Sequence, residues 1–343
     1  MIKSLTFTNR FGRSLHCNLF EPEHSNIAIT NIDGLGPGKS NVTVNDIATS
    51  DGGIFSSARM SFRNIVFTFY FIDHDSEGNY VRVEDVRRLS YEFFMPKTKI
   101  RVVVETDHGK NYVIYGYVEY NEPTIFSKQS SSSVSLICPD YYFKMIGDTG
   151  DLQTAMLLGS GSFEFPFSNE SLSRKMIEFS VIEAAHEYDL YYDGDSENGF
   201  ELEIMFLGDS VSYVTISNEP IGNSEQGNVG FDEFINYPAW HDLELTSYIQ
   251  IYLSDIEEIL SEIYTSDPIY AAGNKIIIST LTGKKSVTFV TYGGDEYNIL
   301  DGIRHIDWIK LYPGYNHFTI ATDNASAGRF RVEAHFNTLY SGV

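Results

Sequence analysis

The chain has 343 residues, enough for two domains, and 14% of them are aromatic, with 23 Tyr and 24 Phe against 2 Trp. It carries 24 Lys and Arg against 47 Asp and Glu, a net charge of −23, which argues against a protein that binds duplex DNA by neutralising phosphates. No run approaches the roughly 20 apolar residues of a membrane helix, and the 2 cysteines are too few for a disulfide framework.

The acidic charge is concentrated in the second part of the chain. Residues 1–150 hold 15 Lys and Arg against 17 Asp and Glu, whereas residues 151–343 hold 9 against 30. No Lys or Arg occurs between Lys175 and Lys275. Such a surface fits a solvated face that keeps the protein soluble; the alternative is a surface that orients a basic partner or holds divalent cations.

Strands dominate the first part of the chain. The opening MIKSLTFTNRFGRSL is an alternating strand that ends at a Gly turn and lacks the apolar core of a secretory signal, which predicts synthesis in the cytoplasm. The run 65–72 predicts a strand buried on both faces, and 84–94 predicts a short helix. Segments 99–106 and 111–120 predict a hairpin that turns at Asp107-His108-Gly109.

A Gly- and Ser-rich stretch at 144–162 predicts a domain join, with a first domain at 1–145 and a second at 146–343. The later strands are separated by Asp, Gly, Asn and Thr-Gly turns, which is typical of a β-sandwich or jelly roll, and Leu281–Ser286 predicts a hairpin turn. We expect an insertion at about 219–273, within which apolar residues at intervals of three and four predict one amphipathic helix over 247–264.

Three motifs imitate binding sites. The stretch Gly34–Ser40 resembles the end of a phosphate-binding loop, but a strand and not a helix follows it, so we expect a structural turn. An acidic loop fits the calcium spacing except for Glu at its fifth position, although it follows a strand; its residues are Asp73, Asp75, Glu77 and Glu84. The sequence DGDSENG at 193–199 begins like such a loop, but its later positions fit a hairpin turn better. We therefore expect no bound metal or other cofactor.

Catalytic signatures are also absent from the sequence. The 9 His include no HExxH motif, and the GSGSF stretch falls outside the GxSxG pattern. The prediction is a protein that is not an enzyme.

Several segments occur in the order and approximate spacing of one known family: IDGLGPG at 32–38, RMSFRN at 59–64, RRLSYEFFMPK at 87–97, GYVEYNEPTIFS at 116–127, SLICPDYYF at 135–143, LYPGYNHF at 311–318 and the final YSGV. On these segments the chain resembles the distal tail proteins (Dit) of long-tailed bacteriophages. Each segment alone is a turn flanked by strands, and 219–273 has no match.

The resemblance implies a mainly β protein with an N-terminal split-barrel domain that closes into a hexameric ring and a galectin-like C-terminal sandwich. The ring would be a virion hub at the tail tip, made in the host bacterium, that joins the tail tube protein to the tail-tip or tail-associated lysin protein. Tape-measure and receptor-binding proteins are further candidate partners. DNA would pass through the ring without sequence-specific binding, and no insertion into a membrane is implied.

Two sets of candidate contact residues follow. Four arginines, Arg59, Arg63, Arg87 and Arg88, are candidates for subunit contacts, because Arg makes bidentate interfacial pairs, and pairing within one subunit is the equal alternative. The alternative function is a module that binds host cell-wall carbohydrate or a receptor, in which Tyr237 and Trp240 stack on sugars.

Overall fold

The structure is a computed structural model that describes residues 1–47, 51–124, 130–147, 152–158, 185–221, 247–261, 263–264, 267–323 and 325–343. These residues form two compact units, Met1–Asp151 with Leu339–Val343, and Leu152–Thr338. The sequence placed the boundary at residue 145 and all later residues in the second domain. The last five residues instead lie in the first unit, because a strand at Leu339–Tyr340 pairs with Phe143–Ile146.

In the described residues, the first unit has ten strands and one α-helix in its continuous part and one late strand. In chain order they are β1 (Ile2–Asn9), β2 (Ser14–Asn18), β3 (Ile27–Asp33), β4 (Ser40–Asp46), β5 (Gly53–Met60), β6 (Arg63–Phe71), α1 (Val83–Phe93), β7 (Lys99–Thr106), β8 (Asn111–Pro123), β9 (Ser131–Cys138) and β10 (Phe143–Ile146). Seven strands follow the order β2-β1-β7-β8-β9-β6-β3, and β10 extends the sheet from β8.

Aromatic side chains fill the core of the first unit. Phe7, Phe67, Phe69 and Phe94 form a cluster whose ring centroids lie 5.1 to 6.1 Å apart. Strand β6 supplies two of these rings because its residues alternate between the two faces of the sheet. The prediction that β6 is buried on both faces is corrected, since its odd-numbered residues are buried and the residues between them are half-buried or exposed.

The second unit is a two-sheet sandwich. Its elements are β11 (Gln153–Leu158), β12 (Ala185–Tyr192), β13 (Glu201–Phe206), β14 (Tyr213–Ile221), β15 (Ser247–Tyr252), α2 (Leu253–Leu260), β16 (Lys275–Ser279), β17 (Ser286–Val290), β18 (Glu296–Asn298), β19 (Ile303–Ile306), β20 (Gly314–Ala321) and β21 (Phe330–Phe336). One sheet has the order β11-β21-β13-β16-β17-β18 and the other β12-β20-β14-β15-β19. Both sheets contribute to one apolar core, for example through Ile204 and Phe318. The chain then returns to the first unit as β22 (Leu339–Tyr340).

The mainly β prediction is confirmed, and two local predictions fail. The predicted helix over 247–264 is a strand followed by a shorter helix, because Ile249 and Ile251 both face the core when β15 pairs with β14. The turn at 193–199 joins strands of different sheets and is not a hairpin. Among the described helices, none combines the length and apolarity needed to span a membrane.

The predicted short helix is confirmed as α1, and the hairpin of β7 and β8 is confirmed with Val103 opposite Val113. The turn at Leu281–Ser286 also joins a hairpin, that of β16 and β17.

Candidate interaction surface

The most exposed apolar element of the first unit is a two-stranded ribbon, β4 with β5. It pairs only with itself in the described part of the chain, and all but one of its strand residues are exposed. Val42, Val44 and Phe55 lie on one face, since Val44 is opposite Phe55, and each is at least 50% exposed. Ile54 is 62% exposed and, as the chain neighbour of Phe55, points to the other face of the ribbon. An isolated two-stranded ribbon is at best marginally stable in water, so an apolar one needs a surface to cover it.

The ribbon starts from a turn that is fixed tightly to the first unit. Gly34 has φ +92°, and a Cβ there would lie 2.1 Å from the carbonyl oxygen of Asn64. Only glycine fits that position without displacing backbone. Strand β4 begins at Ser40, directly after this turn, so the phosphate-loop imitation is a structural turn, as the sequence predicted.

Arg63 lies at the base of the ribbon and is only 4% exposed. Its Nε donates to the Tyr141 carbonyl oxygen at 2.8 Å, and its Nη1 donates to the carbonyl oxygens of Gly34 and Gly36 at 2.6 and 2.8 Å. Its Nη2 donates to the carbonyl oxygen of Ser341. The guanidinium carbon also lies 4.4 Å from the ring centroid of Tyr141. Arg63 therefore ties the turn before the ribbon to β6, to the approach to β10 and to the last residues of the chain.

A cleft of about 420 Å³ opens beside this turn. Its walls are Gly34, Gly36, Pro37, Gly38, Lys39, Phe62, Arg63, Asn64 and Tyr141. Phe62 is 61% exposed at the other root of the ribbon. The exposed apolar side chains of the ribbon, together with Phe62 at its base, suit protein contact.

The four predicted arginines lie on three different elements, β5, β6 and α1. Arg59 is exposed on β5, opposite Asn41. Arg63 is buried and bonds within its own chain, which is the alternative that the sequence analysis gave beside a subunit contact. The other two lie on α1 beside acids of the same helix, with Arg87 3.9 Å from Glu84 and Arg88 3.5 Å from Glu92.

The acidic loop after β6 is held by its own hydrogen bonds. One carboxylate oxygen of Asp75 accepts from the backbone N–H groups of Glu77 and Asn79 at 2.9 and 2.8 Å. Side-chain and backbone hydrogen bonds from Asn79 hold the pKa of Asp75 below its ordinary value. Asp73 lies beside His74, and Glu84 is in the first turn of α1. Within the described ranges, no three acidic, His or Cys side chains are grouped as metal ligands would be.

Tyr237 and Trp240 lie outside the described residues, as does much of the predicted insertion at 219–273. The apolar residues of the ribbon were not among the contact residues predicted from the sequence. The alternation VTV and the apolar pair Ile54-Phe55 near the Gly-rich turn indicate two strands, but they do not show that these side chains face solvent.

The chain has the fold of a phage distal tail protein. It is similar to the Dit (gp 19.1) protein of SPP1, whose structure is described as a paradigm of the hub adsorption apparatus in phages that infect Gram-positive bacteria. The identity is 12%, the TM-score is 0.55, and the match covers 98% of this chain and 99% of that one. The resemblance noted in the sequence is therefore confirmed at the level of the fold.

A second match is the baseplate of phage P2 in its activated conformation with Ca, at 11% identity and a TM-score of 0.37 over 98% of each chain. No family model matches the sequence. No curated protein matches it either.

Proposed function

We propose that this protein is a structural component of a phage tail tip, where six copies close into a hub ring between the tail tube protein and the tail-tip or lysin apparatus. The proposal rests on the shared fold with the SPP1 hub protein over nearly the whole chain. The particular observation that carries it is the exposed apolar ribbon of β4 and β5.

In this proposal the ribbon of one subunit covers part of its neighbour. The ribbon and the surface that receives it are different patches, so the contact is heterologous, and repeating it by an even rotation closes a ring. Arg63 fixes the angle at which the ribbon leaves the first unit, and a fixed angle is what distinguishes a closed ring from an open filament. The function is then geometric and not enzymatic.

Light scattering of the full-length protein across a concentration series tests the proposal. We expect a species of six times the 38.8 kDa subunit mass. Replacing Ile54 and Phe55 together by Ser leaves a folded monomer, because both side chains are more than 60% exposed in the single subunit.

The matched control is Tyr292→Ser, which removes a large side chain that is 85% exposed in the second unit. This variant assembles as the wild type does. Assembly of the ribbon variant, or equal loss of assembly in the control, would contradict the role of the ribbon.

A further inference from the structure

The outer face of the sheet β12-β20-β14-β15-β19 carries aromatic and polar side chains in register. Across β12 and β20, Tyr191 is opposite Tyr315, and Asp189 is opposite His317. The alternate residues of both strands, such as Phe318, are buried in the sandwich core. Because successive side chains of a strand point to opposite faces, the tyrosines and the His-carboxylate pair share the outer face.

Tyr191 and Tyr315 form an aromatic platform near the edge of this sheet. Their ring centroids are 5.0 Å apart at an interplanar angle of 60°, and Tyr191 is 54% exposed. The contact with Tyr315 limits the rotation of the Tyr191 ring while a large part of its surface stays open to solvent. A flat amphipathic ring of this kind suits the apolar face of a pyranose.

Two carboxylates lie on the same strand, β12, at two and four residues before Tyr191. Asp189 Oδ1 is 2.6 Å from His317 Nδ1, and Glu187 Oε2 is 3.9 Å from His317 Nε2. The side chains of Asp189 and Glu187 are 57% and 71% exposed, so both can still accept from a ligand. Tyr191 and Asp189 are two residues apart on their strand, a distance of about 7 Å. One sugar unit can therefore stack on Tyr191 while the same unit or the next one bonds to the Asp189 carboxylate.

A second aromatic position lies across the same face. Tyr248 stacks on His305 with ring centroids 3.9 Å apart, and His305 Nε2 is 3.0 Å from Asp307. In the register of this sheet, Tyr248 is opposite Ser217, Ser217 is opposite Thr319, and Thr319 is opposite Glu187. That path crosses three strand spacings, about 14 Å, which is longer than one sugar and fits an oligosaccharide.

The charge of the face restricts the ligand. Glu187, Asp189 and Glu219 lie on the two strands that flank His317, and three of the five strands of this sheet, β12, β14 and β15, fall in the stretch between Lys175 and Lys275 that has no Lys or Arg. Such a surface repels polyphosphate and polyuronate chains. We propose that this face binds a neutral oligosaccharide of hexopyranose units, with Tyr191 as the stacking residue and Asp189 as a hydroxyl acceptor. The proposal does not depend on ring assembly.

Isothermal titration of the full-length protein with neutral hexaoses tests the proposal. The probes are the hexaoses of β-1,4-linked N-acetylglucosamine, α-1,4-linked glucose and β-1,4-linked galactose, with poly(glycerol phosphate) as the anionic comparison. We expect saturable binding to at least one hexaose and at least tenfold weaker binding by Tyr191→Ala and by Asp189→Asn. Poly(glycerol phosphate) should bind more weakly than that hexaose.

Tyr292→Ala is the matched control, because Tyr292 is the more exposed tyrosine and follows β17 in the other sheet. It should bind as the wild type does, and all variants should keep the solution mass and melting temperature of the wild type. Absence of binding to all three hexaoses, equal weakening by Tyr292→Ala, or preference for the polyanion would each overturn the proposal. None of these results would bear on the hub ring, which the solution mass tests separately.

Discussion

Replacing Arg63 by Leu should strongly destabilise the first unit. The change removes the donors of hydrogen bonds to four carbonyl oxygens, those of Tyr141, Gly34, Gly36 and Ser341. The buried bond to Tyr141 has a charged donor and contributes about 1.5 to 3 kcal/mol, and each partly exposed bond contributes about 0.5 kcal/mol or more. Contacts with two aromatic rings add to this, while Leu avoids the cost of burying a charge. We expect the free energy of unfolding to fall by about 3 to 5 kcal/mol.

Thiol labelling can measure this loss in the full-length protein. Cys17 and Cys138 are free, fully buried and both in the first unit, so their reaction with an aromatic disulfide reports its opening. When closing is fast compared with labelling, the labelling rate is proportional to the population of the open state. Each 1.4 kcal/mol lost from the free energy of unfolding raises that population about tenfold, so we expect labelling to be roughly two to three and a half orders of magnitude faster. Burial raises the pKa of Cys138 to about 12, and the charge of Arg63 opposes that rise. If the substitution did not open the first unit, loss of the Arg63 charge would raise the pKa of Cys138 further and labelling of that thiol would be slower.

Two variants control the experiment. Arg88→Leu removes an arginine whose side chain is 80% exposed, and its labelling should match the wild type. Arg63→Lys keeps a charge but loses the planar fork that reaches several carbonyls, so its rate should be intermediate. If both thiols of Arg63→Leu react within twofold of the wild-type rate and the urea midpoint is unchanged, the stabilising role of the Arg63 hydrogen bonds is refuted.

Two further predictions concern the same unit. Gly34→Ala should lower the free energy of unfolding by more than about 2 kcal/mol, because φ is +92° and the added Cβ meets the Asn64 carbonyl oxygen. The control Gly36→Ala, whose Cβ meets nothing within 4 Å, should change urea unfolding little. Equal losses in the two variants would contradict this. Burial raises the pKa of Cys17 from 9.0 to about 11, so the thiol holds its proton more strongly in the folded state and its contribution to stability is complete below pH 9. That contribution should be lost as the pH rises from 9 to 11, and Cys17→Ala should flatten the decline in urea titrations; an identical slope in the variant would contradict the burial argument.

Local patterns predicted the strands better than they predicted the direction of each face. The hairpin of β7 and β8 followed from alternation around a Gly turn, and the structure pairs Val103 with Val113 as expected. Segment 247–264 could not be assigned from periodicity alone, since Ile249, Leu253, Ile256 and Leu260 fit helical spacing even though the first lies in a strand. Pairing with β14 and β19 decides in favour of a strand there, and those partners are distant in sequence.

The interaction surface was less accessible from sequence for a similar reason. An alternating VTV strand normally turns its valines towards a core, and nothing local shows that Val42 and Val44 face solvent. An arginine is normally exposed, so the burial of Arg63 could not be expected before its acceptors, which lie up to 278 residues away in sequence, were brought together.

Electron microscopy of the purified wild-type protein tests the central claim most directly. The account predicts closed rings with six-fold rotational symmetry and an open lumen, which disappear in the variant with Ser at positions 54 and 55. Open filaments, two-fold dimers or isolated subunits at every concentration of the wild-type protein would contradict it.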